Sequence, residues 1–150
     1  MARVVSLQLH EGHGMPMRPV SQTEARVGGG LEGDSHAHRT KRAVTIVDRS
    51  THDAVGVRPG DLREQITVEG LPSLGSLGDG TMLRIGAITL RVNGSCDPCI
   101  HIGEMNGIAD PDEFRSLLEG RRGLVCTVVR AEGPVRVGDA VSAMEPAVSS

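Results

Sequence analysis

Apolar and polar residues alternate over short stretches along most of the chain. A period of two is typical of strands that bury one face and expose the other. Glycine or proline separates most of these stretches, which favours tight turns between them. The predicted strands are Arg3–Leu9, Ala43–Asp48, Glu64–Leu71, Thr81–Gly86, Ala87–Gly94, Gly123–Ala131 and Pro134–Met144.

Turn and helix signals connect these strands. The sequence RIGAITLRV predicts a hairpin that turns near Gly86, and RAEGPVRV predicts another that turns at Gly133. A short helix is expected around Thr51–Val55. A second helix is predicted from the cap residue Asp110 to the stop at Gly120, since a proline and a glutamate follow the cap at the favoured positions.

The order of these elements predicts the fold class. Roughly seven strands with short connections and one or two short helices indicate a mostly β protein, a closed or nearly closed β-barrel. Residues 4–143 are predicted to form one domain, and residues 144–150 a loose C-terminal tail. Two segments, Gly28–Lys41 and Gly94–Met105, are too polar and glycine-rich to be predicted as strands. Such loops on a rigid barrel often carry function.

Composition narrows the classes of partner. The chain of 150 residues has no Trp, no Tyr and a single Phe, so an aromatic platform for stacking bases is not expected. Its net charge is −3 without a run of like charges, which argues against nucleic acid and membrane surfaces as partners. No apolar stretch resembles a signal peptide or membrane span, so a cytoplasmic location with reduced thiols is predicted.

The first loop, GGGLEGDSHAHR, combines glycines with Asp34, His36 and His38. Glycine-rich loops can present amide N–H groups to anions. If the segment is extended, the two histidines share a face, because residues two apart point the same way. The loop then predicts an anion or metal pocket lined by imidazoles. The alternative is that Asp34 caps a turn and both histidines are solvated.

The second loop, RPGDLREQITVEG, carries charges of both signs around a Pro-Gly turn. Asp61, Arg63 and Glu64 are its candidate residues. Neighbouring charges of this kind are usually a solvated turn, but the Arg63 guanidinium could bind an oxyanion through two N–H groups.

The motif CDPC places Cys96 and Cys99 after a predicted strand, whereas Cys126 lies within one and is expected to be buried and inert. A redox pair would need a helix directly after the motif, and no long helix pattern follows. A zinc site would need two further ligands, for which His36 and His38 would have to approach in space. Alternatively one cysteine is a thiolate ligand or nucleophile at a pocket mouth, or both are structural thiols.

Six motifs occur in a characteristic order: GLEGDSHAHR, AVTIVD, RPGDLREQITVEGL, GTMLRIGAITLRV, the Pro-Cys of CDPC and GPVRVGDAV. In this order they resemble the MOSC domain, the family named for the C-terminal domain of molybdenum cofactor sulfurase. The resemblance extends from about Val4 to Val141, nearly the whole chain. It implies a β-barrel that handles the molybdenum cofactor or its sulfur, and it makes Cys99 the cysteine that ligates molybdenum.

The resemblance also assigns the two loops. Gly33, Asp34 and His36 match the glycine-rich pocket loop of the family, and Asp61 and Glu64 match its second loop. Together with the neighbouring His38 and Arg63, these residues are expected to contact the phosphate and the anionic oxo-metal centre of the cofactor.

Two functions follow from the resemblance. In the first, the protein is a molybdenum-cofactor-binding reductase of N-hydroxylated compounds served by a separate electron donor. In the second, it is a sulfur-carrier or cofactor-delivery module with a persulfide on Cys99, supplied by a sulfur donor such as the pyridoxal-phosphate-dependent desulfurase domain linked to some members. A zinc-stabilised fold is a third alternative. Apolar edge strands would allow a homodimer.

Overall fold

The computed structural model describes residues 2–12, 15–40, 43–56, 58–60, 63–71, 74, 77–96 and 123–144. Within these ranges the chain forms short strands and one short helix. In chain order they are β1 (Arg3–Leu9), β2 (Arg18–Val20), β3 (Gln22–Thr23), β4 (Val44–Asp48), α1 (Arg49–Val55), β5 (Ile66–Glu69), β6 (Met82–Ile85), β7 (Ile88–Cys96), β8 (Gly123–Ala131), β9 (Val135–Arg136) and β10 (Val141–Met144).

Most of the strands form one curled sheet. Its eight strands are hydrogen-bonded in the order β10-β6-β7-β8-β4-β5-β1-β2. The described neighbours in this sheet are antiparallel except β4 and β5, which are parallel. The strands β3 and β9 pair in a separate two-stranded sheet. The predicted mostly β, nearly closed barrel is confirmed.

The sheet approaches closure where the start of β1 meets the residues before β10. Arg3 and Ala140 form an antiparallel bridge. The Val4 N–H donates to the Asp139 carbonyl oxygen at 2.9 Å, and the Gly138 N–H donates to the Val4 carbonyl oxygen at 2.8 Å. Because β1 also pairs with β5 and β2, this strand links that end of the sheet to the residues that precede β10.

The helix α1 connects the parallel strands β4 and β5, because parallel neighbours need a crossover. The Asp48 carboxylate caps the helix by accepting the Ser50 N–H at 2.9 Å. Its other oxygen accepts the Leu71 N–H at 2.8 Å. One buried side chain therefore fastens the start of α1 to the chain that follows β5.

Aliphatic side chains fill the barrel interior. On β5, Ile66 and Val68 belong to this core, so by the alternation of a strand Gln65 and Thr67 lie on the opposite face. Gln65 and Thr67 are nevertheless buried. The cause is that α1, the segment before β5 and the loop at Asp34 cover that face and form a second, polar layer outside the core.

Most of the predicted elements are confirmed. β1 and β8 have the predicted bounds, and β4 to β7 begin and end within about two residues of them. The hairpin at Gly86 is present, since Ile85 lies opposite Ile88. The helix predicted around Thr51–Val55 is α1.

Three predictions were wrong. Pro134–Met144 is not one strand, because a turn at Gly138 separates β9 from β10. β9 pairs with β3 and not with β8, so the hairpin predicted at Gly133 does not form. The residues Gly94–Cys96, predicted to be loop, continue β7 because Gly123–Val125 of β8 pairs with them.

Some predictions fall outside the described residues. These are the helix from Asp110 to Gly120, the site residues Asp61 and Cys99, and residues 145–150 of the predicted tail. In the part of the chain that the structure describes, no helix is long and apolar enough to cross a membrane.

Candidate functional site

The glycine-rich loop is a series of turns built around the buried Asp34 carboxylate. Its Oδ2 atom accepts the His10 N–H at 2.6 Å and a Gln65 Nε2–H at 3.2 Å. Its Oδ1 atom accepts the His36 N–H at 2.8 Å. Hydrogen bonds to a charged acceptor are stronger than neutral ones, so these three donors hold the loop in shape. Asp34 therefore organises the turn.

Gly33 allows this turn to lie against the end of β1. Its φ is +87°, in the left-handed region that costs a side chain conformational energy. A Cβ atom at this position would lie 3.0 Å from Leu9 Cδ1 and 3.7 Å from Arg18 Nη2. The backbone conformation and the close approach both require glycine here.

His36 occupies the edge of the turn. Its ring stacks on His10 with centroids 4.3 Å apart, and its Nδ1 lies 4.0 Å from Asp34 Oδ1. Burial lowers the pKa of His36, and the charges of Arg39, His10 and His38 lower it further, whereas Asp34 opposes them. The imidazole is therefore neutral at pH 7 and retains both a donor and an acceptor nitrogen.

His38 does not share a face with His36. The segment consists of turns and is not extended, so the spacing of two does not place the rings side by side. His36 is partly buried, whereas His38 is exposed. The alternative in which both histidines are solvated is therefore correct for His38 but not for His36.

Arg63 has a positive φ of 63°, which is uncommon for a residue with a side chain. Its Nη1 donates to the Met15 carbonyl oxygen at 2.6 Å and its Nη2 to the Gly12 carbonyl oxygen at 3.5 Å. Burial lowers the pKa of this guanidinium. Two of its nitrogens thus fasten the chain between β1 and β2, and its contact with an oxyanion stays a prediction.

Glu64 is completely buried beside α1. Its Oε1 atom accepts the Gly60 N–H at 2.8 Å, and its Oε2 atom accepts the Thr67 hydroxyl at 3.1 Å. Oε2 also contacts Nε2 of His52, a ring that is itself 1% exposed. This buried carboxylate–imidazole pair fixes α1 against β5.

Two buried glutamines link the two predicted loops. Gln65 Oε1 accepts the Thr45 N–H at 2.7 Å, while its Nε2 donates to Asp34. Gln8 Nε2 donates to the Glu64 carbonyl oxygen at 3.0 Å. The structure therefore brings Asp34 and Glu64 into one polar layer. The order of the residues in the sequence did not by itself predict this proximity.

Gln8, His10, His52 and Gln65 of this layer were not predicted. The alternation pattern could have identified Gln65 and His10, because it places them on the face opposite to the apolar residues of β5 and β1. His52 had no such signal, because its partner Glu64 lies beyond the crossover.

Cys96 ends β7 opposite Gly123 of β8. A Cβ atom on Gly123 would lie 2.8 Å from Val47 Cγ2, so the end of β7 is close to the end of β4, where α1 begins. Cys99, three positions later in the sequence, lies outside the described residues. Among the described residues, no three His, Cys, Asp or Glu side chains are grouped to hold a metal ion.

Cys126 lies in β8 and is completely buried. Burial raises the pKa of its thiol to about 12. The thiolate is the reactive form of cysteine, so this residue is inert as predicted.

The model of the family described as the MOSC domain matches residues 24–142. No curated protein matches the chain.

Solved structures share the fold. The YuaD protein from Bacillus subtilis is 25% identical with a TM-score of 0.79, and the match covers 95% of this chain and 96% of that chain. YiiM from Geobacillus stearothermophilus is 16% identical with a TM-score of 0.74, covering 99% of this chain and 78% of that one. YiiM from Escherichia coli is 18% identical with a TM-score of 0.65, and the match covers 95% of this chain and 70% of that one. Since the family match spans most of the sequence and the barrel agrees with it, the chain belongs to the MOSC domain family.

Proposed function

We propose that this MOSC domain binds the molybdenum cofactor through Cys99 and takes part in the reduction of N-hydroxylated compounds, with electrons supplied by a separate protein. The family is associated with that cofactor, and the surroundings of His36 support the proposal. Three basic side chains, His10, His38 and Arg39, act electrostatically on this imidazole. Such a neighbourhood attracts an anion.

The described donor set fits an anionic group. The Asp34 carboxylate is already engaged by three N–H donors, so its charge is compensated within the turn. The surface of the loop also carries imidazole and guanidinium groups, which bind phosphate and metal-bound oxygen atoms, and its exposed Glu32 carboxylate is paired with Arg26. Molybdenum prefers a soft thiolate as a protein ligand, which Cys99 would supply.

The residues of the two loops have separate tasks in this proposal. Gly33, His36, His38 and Arg63 bind the oxygen atoms of the cofactor. When bound, the cofactor supplies two-electron redox chemistry to an N–O substrate. Burial lowers the pKa of His36, so its neutral ring can accept a proton near pH 7, and Asp34 Oδ1, 4.0 Å from Nδ1, partly opposes that shift.

Asp34 and Glu64 hold the loops that carry these groups. Asp34 shapes the first loop directly, and Glu64 holds the second by accepting the Gly60 N–H. Asp61 belongs to the same second loop and is assigned to cofactor binding with it.

Metal analysis of the full chain tests the proposal. The protein is produced with molybdate in a host that makes the cofactor, and molybdenum per chain is measured by mass spectrometry. Stoichiometric molybdenum is expected in the parent protein and in the matched control Cys96→Ser, because only Cys99 is the proposed ligand. Cys99→Ser is expected to lose it.

Two outcomes contradict the proposal. Equal molybdenum in Cys99→Ser and Cys96→Ser would exclude Cys99 as the ligand. Absence of molybdenum from all three proteins, together with labile sulfane sulfur that depends on Cys99, would identify a sulfur carrier instead.

A further inference from the structure

A pocket lies beside α1, where the helix and the following segment face β1. Its volume is about 410 Å³, within the range of small-ligand sites. Most of its lining is polar and comes from three parts of the chain. The polar lining residues are Ser6, Arg49, His52, Asp53 and Arg58.

Cations outnumber anions in this lining. Arg49 and Arg58 contribute two guanidinium groups, whereas Asp53 contributes one carboxylate. The Arg49 Nη1 atom lies 3.8 Å from Glu69 Oε2 in an exposed ion pair, a kind of contact that contributes little stability in water. Guanidinium groups match the geometry of phosphoryl oxygens and carry five N–H donors each, so they can bind a phosphate in addition to a contact within the protein.

The imidazole of His52, which is held in place by its neighbours, forms the inner wall of the pocket. The Nε2 side of His52 is held by Glu64, which is itself held by the Gly60 N–H and the Thr67 hydroxyl. The Nδ1 atom of His52 is buried and has no hydrogen-bond partner among the described residues. Buried polar atoms of native proteins are almost always hydrogen-bonded, so a lining ring with an unpartnered nitrogen favours a polar occupant of this pocket.

The pocket is larger than a bare anion requires. Val5 and Pro59 complete the lining with apolar surface. An occupant with a phosphate at one end and a carbon body at the other would use both kinds of surface. Asp53 would accept a hydrogen bond from a hydroxyl group on that body.

We infer that the pocket beside α1 binds a small phosphate monoester, with Arg49 and Arg58 bound to its phosphoryl oxygens. The inference does not involve Cys99 and stands apart from the proposed function. It assigns a ligand class to a concavity on the face of the sheet opposite the aliphatic core.

Calorimetric titration of the full chain tests the inference. It is carried out in the Cys99→Ser background, so that a failure of the proposed cofactor site does not affect the result. Phenyl phosphate and inorganic phosphate are the probes at constant ionic strength. Phenyl phosphate is expected to bind more tightly, because its ring contacts Val5 and Pro59. Equal or tighter binding of inorganic phosphate would overturn the assignment of a monoester.

Substitutions in the pocket are expected to act in opposite directions. Arg49→Gln and Arg58→Gln each weaken phenyl phosphate binding about tenfold, as expected for a lost charged hydrogen bond. Asp53→Asn strengthens it about threefold by removing a like charge. The His52 ring signals in NMR spectra shift on addition of the ligand.

Matched surface controls separate this site from general charge effects. Arg130→Gln and Asp79→Asn change exposed charges outside the pocket lining and are expected to leave the affinity unchanged. Unchanged affinity in both pocket arginine variants, or an equal loss in Arg130→Gln, would overturn the inference. Because Arg49 and Arg58 are exposed, amide spectra of their variants are expected to retain the native dispersion.

Discussion

Asp34 and Glu64 are buried carboxylates of the same polar layer, and each lies near a histidine, but they use it differently. Glu64 contacts the His52 ring directly, and the His52 side chain is 1% exposed. Asp34 binds three N–H donors instead, and its oxygen lies 4.0 Å from a His36 side chain that is 25% exposed. The first arrangement immobilises an imidazole, whereas the second builds a turn and leaves its imidazole able to titrate.

The difference shows that residue types alone do not assign a role. A carboxylate and an imidazole form a structural clamp when their contact is direct and sealed from water. They form a candidate chemical site when backbone N–H groups engage the carboxylate.

The largest effect is expected from Glu64→Ala. This change leaves His52, the Gly60 N–H and the Thr67 hydroxyl without their shared partner in a buried place. The free energy of unfolding is expected to fall by about 3–5 kcal/mol, measured by urea denaturation. The control Glu132→Ala removes an exposed ion pair and should change it by less than about 0.5 kcal/mol. A loss for Glu64→Ala below about 1 kcal/mol would contradict the clamp.

Asp34→Ala is expected to have the next largest effect. It removes three hydrogen bonds to a buried carboxylate, and the predicted loss is about 2–3 kcal/mol. Because two of the donors are the His10 and His36 amides, hydrogen exchange at these amides should accelerate more than exchange in β8. Unchanged exchange at both would show that the carboxylate does not hold the turn.

Gly33→Ala tests the close approach of the turn to β1. Gly28 is the matched control, because its φ of +84° is similar and a Cβ there would meet nothing within 4 Å. Both substitutions are expected to cost about 1–2 kcal/mol for the left-handed conformation. Gly33→Ala should cost more, since its Cβ would lie 3.0 Å from Leu9 Cδ1. Equal unfolding midpoints would mean that Leu9 moves aside freely.

The smallest effect is expected from the titration of His36. Its pKa is lowered in the folded protein, mainly by burial, so the unfolded chain binds a proton more readily. Stability should therefore be unaffected well above the ordinary histidine pKa of about 6.5 and should fall as the pH drops from there to the folded-state pKa. Comparison of the parent protein with His36→Gln isolates the pH dependence of the free energy of unfolding that His36 causes. NMR titration of the ring gives its pKa directly. A pKa at or above the ordinary value would contradict it.

Alternation predicted the strands that border the aliphatic core. β1 and β8 are long enough for the period to be evident, and their bounds were predicted correctly. β2 and β3 have 3 and 2 residues, too few to show a period, and they were missed. β9 was assigned to the wrong partner because strand pairing depends on the path of the distant residues 22–23.

The candidate site was predictable where its contacts are local. Asp34 and His36 are two positions apart, a spacing at which an Asp side chain commonly accepts a backbone N–H. The contact of His52 with Glu64 was not predictable, since it exists only after α1 has crossed back over β5. The role of Cys99 still depends on the family resemblance.

The bridge between Arg3 and Ala140 joins parts of the chain that are far apart in sequence. Contacts of such long sequence separation form slowly, so we expect the barrel to be completed late in folding. β1 also carries the hydrogen bonds to β5 and β2, so detaching this one strand would open three interfaces together. The amides at the centre of β1 should therefore exchange with solvent only when the entire domain unfolds.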